Sequence, residues 1–297
     1  MKTIILRAGK AIAGWVTVLC LIFLLTVSLQ HLRKGSAEEV LMGQRGTTQS
    51  LAALKDKSFG SRLTELAVAL PGMVQWKTLR GTMVLPQIGH ALAATAMLSA
   101  LSLLFSVVIG LVMLSAAEFY PRFANPLASL ATAINTTPIF LVGIFFIWLF
   151  AFALRLLPSG GDGGLRFFVL PALAIAAKFG ARLFLLLRNY MNELENRVFI
   201  LRARAFGFND RKIFLHKLAN CAMPFIIFWL IETASLFSGA VIVESLFSIH
   251  GLGQLLLFAL LQYDIRLIFA NLVVIATIVY LTSLLQKVIA ETQERSA

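Results

Sequence analysis

Uncharged runs divide this chain more sharply than any other feature. Residues 11–30, 91–117, 123–154 and 267–286 contain no Asp, Glu, Lys or Arg. A hydrocarbon core of about 30 Å needs roughly 20 apolar residues in a helix, so each run reads as a membrane span. Two more runs are long enough but interrupted: 165–187 holds Lys178 and Arg182 in its interior, and 223–245 holds Glu232 and Glu244. Both keep helical length beyond a fully apolar end. The expected fold class is therefore an all-α integral membrane protein with six transmembrane helices.

The first run follows Lys2, Arg7 and Lys10, as a secretory signal would. Its apolar length of about 20 residues exceeds the roughly 7–15 of a signal core, and no small-x-small cleavage pattern follows it, so it reads as an uncleaved helix. Loop charge then orients the chain. With the N-terminus in the cytoplasm, the inner segments 1–10, 118–122, 188–217 and 287–297 carry 13 Lys/Arg, against three in the short outer loops 155–166 and 245–266. Positive loops stay inside, which places both termini in the cytoplasm. The expected organisation is a tail and first span over 1–30, a periplasmic loop or cap over 31–90, and a membrane core over 91–297. A cytoplasmic loop over 188–222 separates spans four and five.

Composition fits this pattern: 297 residues are 59% hydrophobic and 13% charged, about half the charge of a soluble domain. The net charge of +12 is spread between apolar runs and forms no single patch, which argues against nucleic acid. Cys20 and Cys221 are the only cysteines, so neither a disulfide framework nor a thiolate metal cluster is available. The chain contains no GxxxxGK[ST], HExxH or GxSxG pattern, and His31, His90, His216 and His250 show no metal-ligand spacing. It therefore reads as a non-enzyme without a nucleotide loop, cofactor or metal site of its own.

The stretch 188–224, RNYMNELENRVFILRARAFGFNDRKIFLHKLANCAMP, is the most informative. Helix formers continue to Ala205, Gly207 breaks the helix, and Asn209 and Asp210 can cap a second helix running from Arg211 toward Ala219. A hairpin tied between two spans cannot reach a DNA groove. It is either a solvated positive loop or a docking lever, with Phe199, Leu201, Phe206 and Phe208 set among arginines to fill a partner's groove.

LRARAFGFNDRKIFLHKLANCAMP resembles the EAA-type loop of permease subunits of ATP-binding-cassette importers, in the branch carrying oligopeptides, dipeptides, nickel and related chelates. The likeness rests on Ala203-Arg204-Ala205, Gly207, Lys217, Asn220 and Pro224, with Arg188 standing 19 residues before Gly207. It extends in order along the chain. His31-Leu32, Gly35 and Ala37-Glu38 resemble the segment after the family's first helix, and GQRGTTQSLAALK its continuation. Pro138, Phe140, Gly143, Phe150-Ala151, Leu157-Pro158 and Gly160-Gly161 resemble PxFxxG…FA…LPxGG. VIVESLFSIHGLGQLL (241–256) with Tyr263-Asp264 resembles VVVExxFSxPGLGxLL and its sequel. Lys34, Ser36 and His250 depart from that pattern, all toward the outside.

The resemblance implies a second, similar permease, two ATP-binding subunits that hold ATP and Mg, and a periplasmic or extracellular solute-binding protein. It assigns ATPase coupling to Phe199, Leu201, Arg202, Ala203, Arg204, Ala205, Gly207, Phe208, Asp210 and Lys212, with Arg204 as hydrogen-bonding anchor and Gly207 supplying a turn that a side chain would obstruct. A lone secondary transporter or channel, or a non-transporting assembly subunit, is the competing class.

Inside the spans, Lys178 and Arg182 lie four residues apart and share a helix face. Three readings stay open for them: a structural clamp with Glu232, a solute-lining pair that attracts carboxylates, and, for Arg182, snorkelling to the inner surface. Asn135 and the threonines beside Pro138 could offer polar contacts to a passing solute, and Pro138 and Pro171 would bend their spans. Glu244 reads as a helix-end bond or part of an outer gate with Gly251, Gly253 and Asp264. The apolar segment before Asp264 is too short to span and is expected to lie along or dip into the outer face.

Overall fold

The computed structural model describes residues 2–32, 59–79, 81–161, 163–262 and 264–294. The resemblances placed on Gly35, Ala37-Glu38, 43–55 and Tyr263, the departures at Lys34 and Ser36, and most of the expected cap therefore lie outside the described residues. Those that are described form helices α1 (Lys2–Leu32), α2 (Phe59–Ala69), α3 (Val84–Phe119), α4 (Pro121–Thr136), α5 (Ile139–Phe146) and α6 (Leu165–Leu194). After these come α7 (Val198–Ala205), α8 (Asp210–Asn220), α9 (Ala222–Gly239), α10 (Val241–Leu246), α11 (Leu252–Gln262) and α12 (Ile265–Glu294). A 3-10 turn, Leu70–Gln75, follows α2, and α5 continues as a π-helix over Ile147–Ala153.

Among the described residues, four helices are long and apolar enough to cross a membrane: α1, α3, α6 and α12. They contain or overlap the runs 11–30, 91–117, 165–187 and 267–286, and α3 starts at Val84, seven residues earlier than its uncharged run. The other two expected spans are broken. The run 123–154 folds as α4 and α5 with an angle of 106° between them, and α9, which opens the run 223–245, is bent by 52° from α8 before it. Counting each bent pair as one crossing gives up to six.

The break in 123–154 has a local cause. Pro138 lacks an N–H and pushes Thr137 into extended backbone, with ψ 133°. The Thr137 N–H still reaches the Ala133 carbonyl, but the helix restarts only when the Leu141 N–H finds the Pro138 carbonyl. Pro171, by contrast, sits within α6 without interrupting it. The run 223–245 also divides, into α9 and α10 at Ala240.

The chain forms two compact units. The first comprises Met1–Thr95, Phe237–Val241 and His250–Leu284. Its core gathers Val27, Trp76, Ile88, Leu252 and Phe269; the Tyr280 hydroxyl donates to the Ala11 carbonyl at 2.6 Å, tying α1 to α12. The second comprises Ala96–Leu236, Ile242–Ile249 and Leu285–Ala297. Its core gathers Leu114, Ala131, Phe184, Leu187, Met191, Phe214 and Phe228, so α3, α4, α6, α8 and α9 all contribute to it.

Candidate functional site

Two charged clusters and one exposed turn, all in the second unit, carry the chemistry. The turn follows α7. The Phe208 N–H bonds the Ala203 carbonyl and the Gly207 N–H bonds the Arg204 carbonyl, both closing back over the helix end. Gly207 sits between them at φ +75°, the left-handed C′ position that favours glycine. A Cβ there would meet nothing within 4 Å. Backbone conformation, and not obstruction by a side chain, is therefore what demands glycine. Asn209 then caps α8, its Oδ1 accepting the Lys212 N–H at 3.0 Å, and Asp210 lies in the first turn. The helix of 188–205 is not continuous: α6 ends at Leu194, and Arg197 N-caps the separate α7.

Phe199, Leu201, Phe206 and Phe208 are exposed, Phe206 by 81%. Arg202, Arg204, Ala205, Asp210 and Lys212 are exposed as well, and Ala203 is half-buried. Ile200, Ile213 and Phe214 turn inward, and the Phe214 ring lies 5.2 Å from that of Phe119. The hairpin thus has one face in the core and one open apolar face edged with cations.

A buried lysine braces it. The Lys217 side chain on α8 is 2% exposed and its Nζ donates to Glu118 Oε1, at the end of α3, and to Glu195 Oε1, just past α6, at 2.8 Å. Glu195 Oε2 accepts from Arg204 of α7 at 2.6 Å. Arg204, read as an anchor for a partner, is thus held within this chain. Burial alone would push the Lys217 ammonium down, but the hydrogen bonds and charges of Glu118 and Glu195 outweigh it and hold the group above its ordinary value. Sequence reading placed Lys217 in a family motif and missed this role, because its partners stand 99 and 22 residues away.

The second cluster sits at the α4–α5 break. Arg182 Nη1 donates to Glu232 Oε1 at 2.6 Å and its Nε to Asn135 Oδ1 at 3.3 Å. Lys178 Nζ donates to the Thr137 carbonyl at 2.6 Å, at the C-terminal end of α4 where the helix dipole favours a cation. The clamp with Glu232 is therefore made by Arg182, and Lys178 instead serves the carbonyl that Pro138 leaves without a helical partner. The Arg182 guanidinium turns to Asn135 of α4 and Glu232 of α9. Nearby, Arg188 Nη2 donates to Asn125 Oδ1 at 3.2 Å.

The remaining candidates divide between the units. Glu244 is buried in α10 of the second unit, its carbonyl accepting the Ile249 N–H. Asp264, in the first unit, caps α12: Oδ1 accepts the Leu267 N–H at 3.2 Å and Oδ2 the Leu79 N–H at 2.7 Å. Gly251 gives its carbonyl to Leu255, and a Cβ on Gly253 would lie 2.7 Å from the Val241 backbone. These geometries are those of helix capping and close packing.

Long apolar helices, a sharply broken span and a braced amphipathic hairpin define a helical integral membrane protein. The family described as "binding-protein-dependent transport system inner membrane component" matches residues 106–295. The chain belongs to that family and is a multi-pass protein of the bacterial inner membrane. It is 27% identical over 194 residues to a metal-staphylopine import system permease of Staphylococcus aureus, covering 65% of this chain and 61% of that protein. It is 27% identical over 189 residues to an oligopeptide transport system permease of Salmonella typhimurium, 62% of each chain. A di/tripeptide transport system permease of Pseudomonas aeruginosa is 24% identical over 305 residues, 88% of this chain and 89% of that one. The matched part spans about three fifths of the first two relatives.

Proposed function

We propose that the chain is one of two permease subunits that together line the path of an ATP-driven importer of peptides or related small solutes, metal chelates included. The observation that carries this is the hairpin: an open face of Phe199, Leu201, Phe206 and Phe208, set by Gly207 and braced from behind by Lys217. Rigid aromatic anchors at a fixed angle suit a groove on a partner. In this reading α1, α3, the bent α4–α5 pair, α6, α9 and α12 each cross once, giving six, and both termini and the 188–222 loop with α8 face the cytoplasm. There the hairpin docks on ATP-binding subunits, which carry the ATP and Mg. A solute-binding protein delivers the solute to the outer side, where Glu244, Gly251, Gly253 and Asp264 hold the ends of α10, α11 and α12. Asn135, Pro138, Lys178, Arg182 and Glu232 belong to the solute path.

The test is co-expression with ATPases, a second permease and a solute-binding protein of this importer family taken from the same genome. Affinity capture of this chain should bring the ATPases, and Phe206→Ser should lose them while the chain stays in the membrane. A chain captured without ATPases in every preparation overturns the reading.

A further inference from the structure

The cluster at the α4–α5 break carries more positive charge than this chain compensates. Lys178 and Arg182 face one carboxylate, Glu232, and Arg182 takes it. The Lys178 ammonium rests on a neutral carbonyl, Thr137. Glu232 is engaged through Oε1 alone, while its Oε2 is buried without a partner among the described residues. The ion pair is therefore a single bond and not a two-pronged fork, and no hydrogen bond among the described residues uses the second terminal nitrogen of Arg182.

Depth makes this surplus significant. At about 1.5 Å per residue, α6 runs about 45 Å, with Lys178 about 20 Å and Arg182 about 26 Å from Leu165. Both lie in the middle third of the helix, where a charge facing lipid is expensive and one facing water or a partner is tolerated. Yet the Arg182 side chain is 40% exposed on this chain's own surface, beside a Glu232 only 1% exposed. Where the same chain builds a permanent ion cluster, at Lys217, it buries the cation and surrounds it with two carboxylates. Lys178 and Arg182 are left half-open, short of one negative charge.

We propose that Lys178 and Arg182 form a carboxylate-binding subsite in the membrane interior, occupied by an anionic group of the passing solute. The ammonium and the free guanidinium edge supply the donors. Glu232 and Asn135 orient Arg182, and the Thr137 carbonyl orients Lys178. The carboxylate can come from a peptide terminus or from a metal chelator. This rests on the import reading above and names the solute chemistry within it.

The test uses the complete transporter in nanodiscs without its binding protein, with radiolabelled trialanine against trialanine amide in one arm and nickel citrate against aquated nickel in the other. At least one carboxylate probe should bind about tenfold more tightly than its carboxylate-free counterpart, and the arm that responds identifies the source. Lys178→Gln keeps a donor for Thr137 but should reduce that preference to about twofold or less, and Lys178→Arg should retain it. Glu232→Gln frees Arg182 and should strengthen carboxylate binding, an effect that a merely structural pair would not produce. An intact complex with no carboxylate preference, a preference unchanged by Lys178→Gln, or loss of the second permease on Lys178→Gln each overturns the subsite. An ATPase-loaded complex that fails these tests overturns this proposal alone; a chain that never acquires ATPases overturns the import reading with it.

Discussion

The Lys217 and Arg182 clusters solve the same problem in opposite ways. Around Lys217, two cations and two carboxylates from α3, α7, α8 and the end of α6 close on each other, with the lysine almost wholly buried. Around Arg182, one carboxylate meets two cations but pairs with the arginine alone, Lys178 rests on the Thr137 carbonyl, and the arginine stays accessible. A closed cluster fixes geometry, because every charge has its partner inside the fold. An open one tolerates exchange, because a new anion can enter without a buried pair having to break.

The largest effect expected from this contrast is at Lys217. Lys217→Met leaves Glu118 and Glu195, each about a third exposed, without their shared cation and should cost about 1.5–3 kcal/mol, the scale of hydrogen bonds to charged groups, read as thermal melting of the purified chain and as its level in the membrane. If Glu232→Gln proves equally damaging, the distinction between closed and open clusters fails. Next comes the turn: Gly207→Ala forces a left-handed backbone on a residue with a Cβ, at about 1–2 kcal/mol. It should lower ATPase capture without reducing membrane insertion, and Gly207→Asn should lower it less. Glu232→Gln should cost less still, about 0.6–1.7 kcal/mol, the range for hydrogen bonds between membrane helices, by the same melting measurement. The smallest effect is that of pH. The Lys217 value is raised, so its stabilisation is complete below the ordinary 10.5 and is lost only as pH climbs through the still higher folded value. Amide exchange in α8, corrected for its intrinsic pH dependence, should therefore show no loosening between pH 6 and pH 9 and a loss of protection in stronger alkali, whereas loosening near neutrality would show that the cluster is not closed.

Local signals were legible in the sequence and distant ones were not. The four uncharged runs correspond to three long helices and the bent α4–α5 pair, and Gly207 with Asn209 marked the hairpin turn, because capping and backbone conformation depend on neighbours in the chain. Pro138 announced a bend, but its 106° could not be read from the proline alone. Lys178, 41 residues further on, accepts the role of partner to the freed Thr137 carbonyl. The i, i+4 spacing put Lys178 and Arg182 on one face correctly. It could not say which of them would meet Glu232, since that depends on how α9 packs against α6. The resemblance located the hairpin, and only the fold revealed what braces it.

Glu195 gives each of its oxygens to a different helix, Oε1 to Lys217 of α8 and Oε2 to Arg204 of α7. One consequence is kinetic. A hairpin already stitched together by a single carboxylate does not have to order itself when a partner arrives, so association escapes the entropy that a flexible loop would forfeit. For such a preformed surface the lifetime of the complex, more than the rate of encounter, becomes the quantity that sequence changes tune. On the proposed docking reading, the residence time of a bound subunit is then set largely by how firmly the protruding Phe206 is gripped.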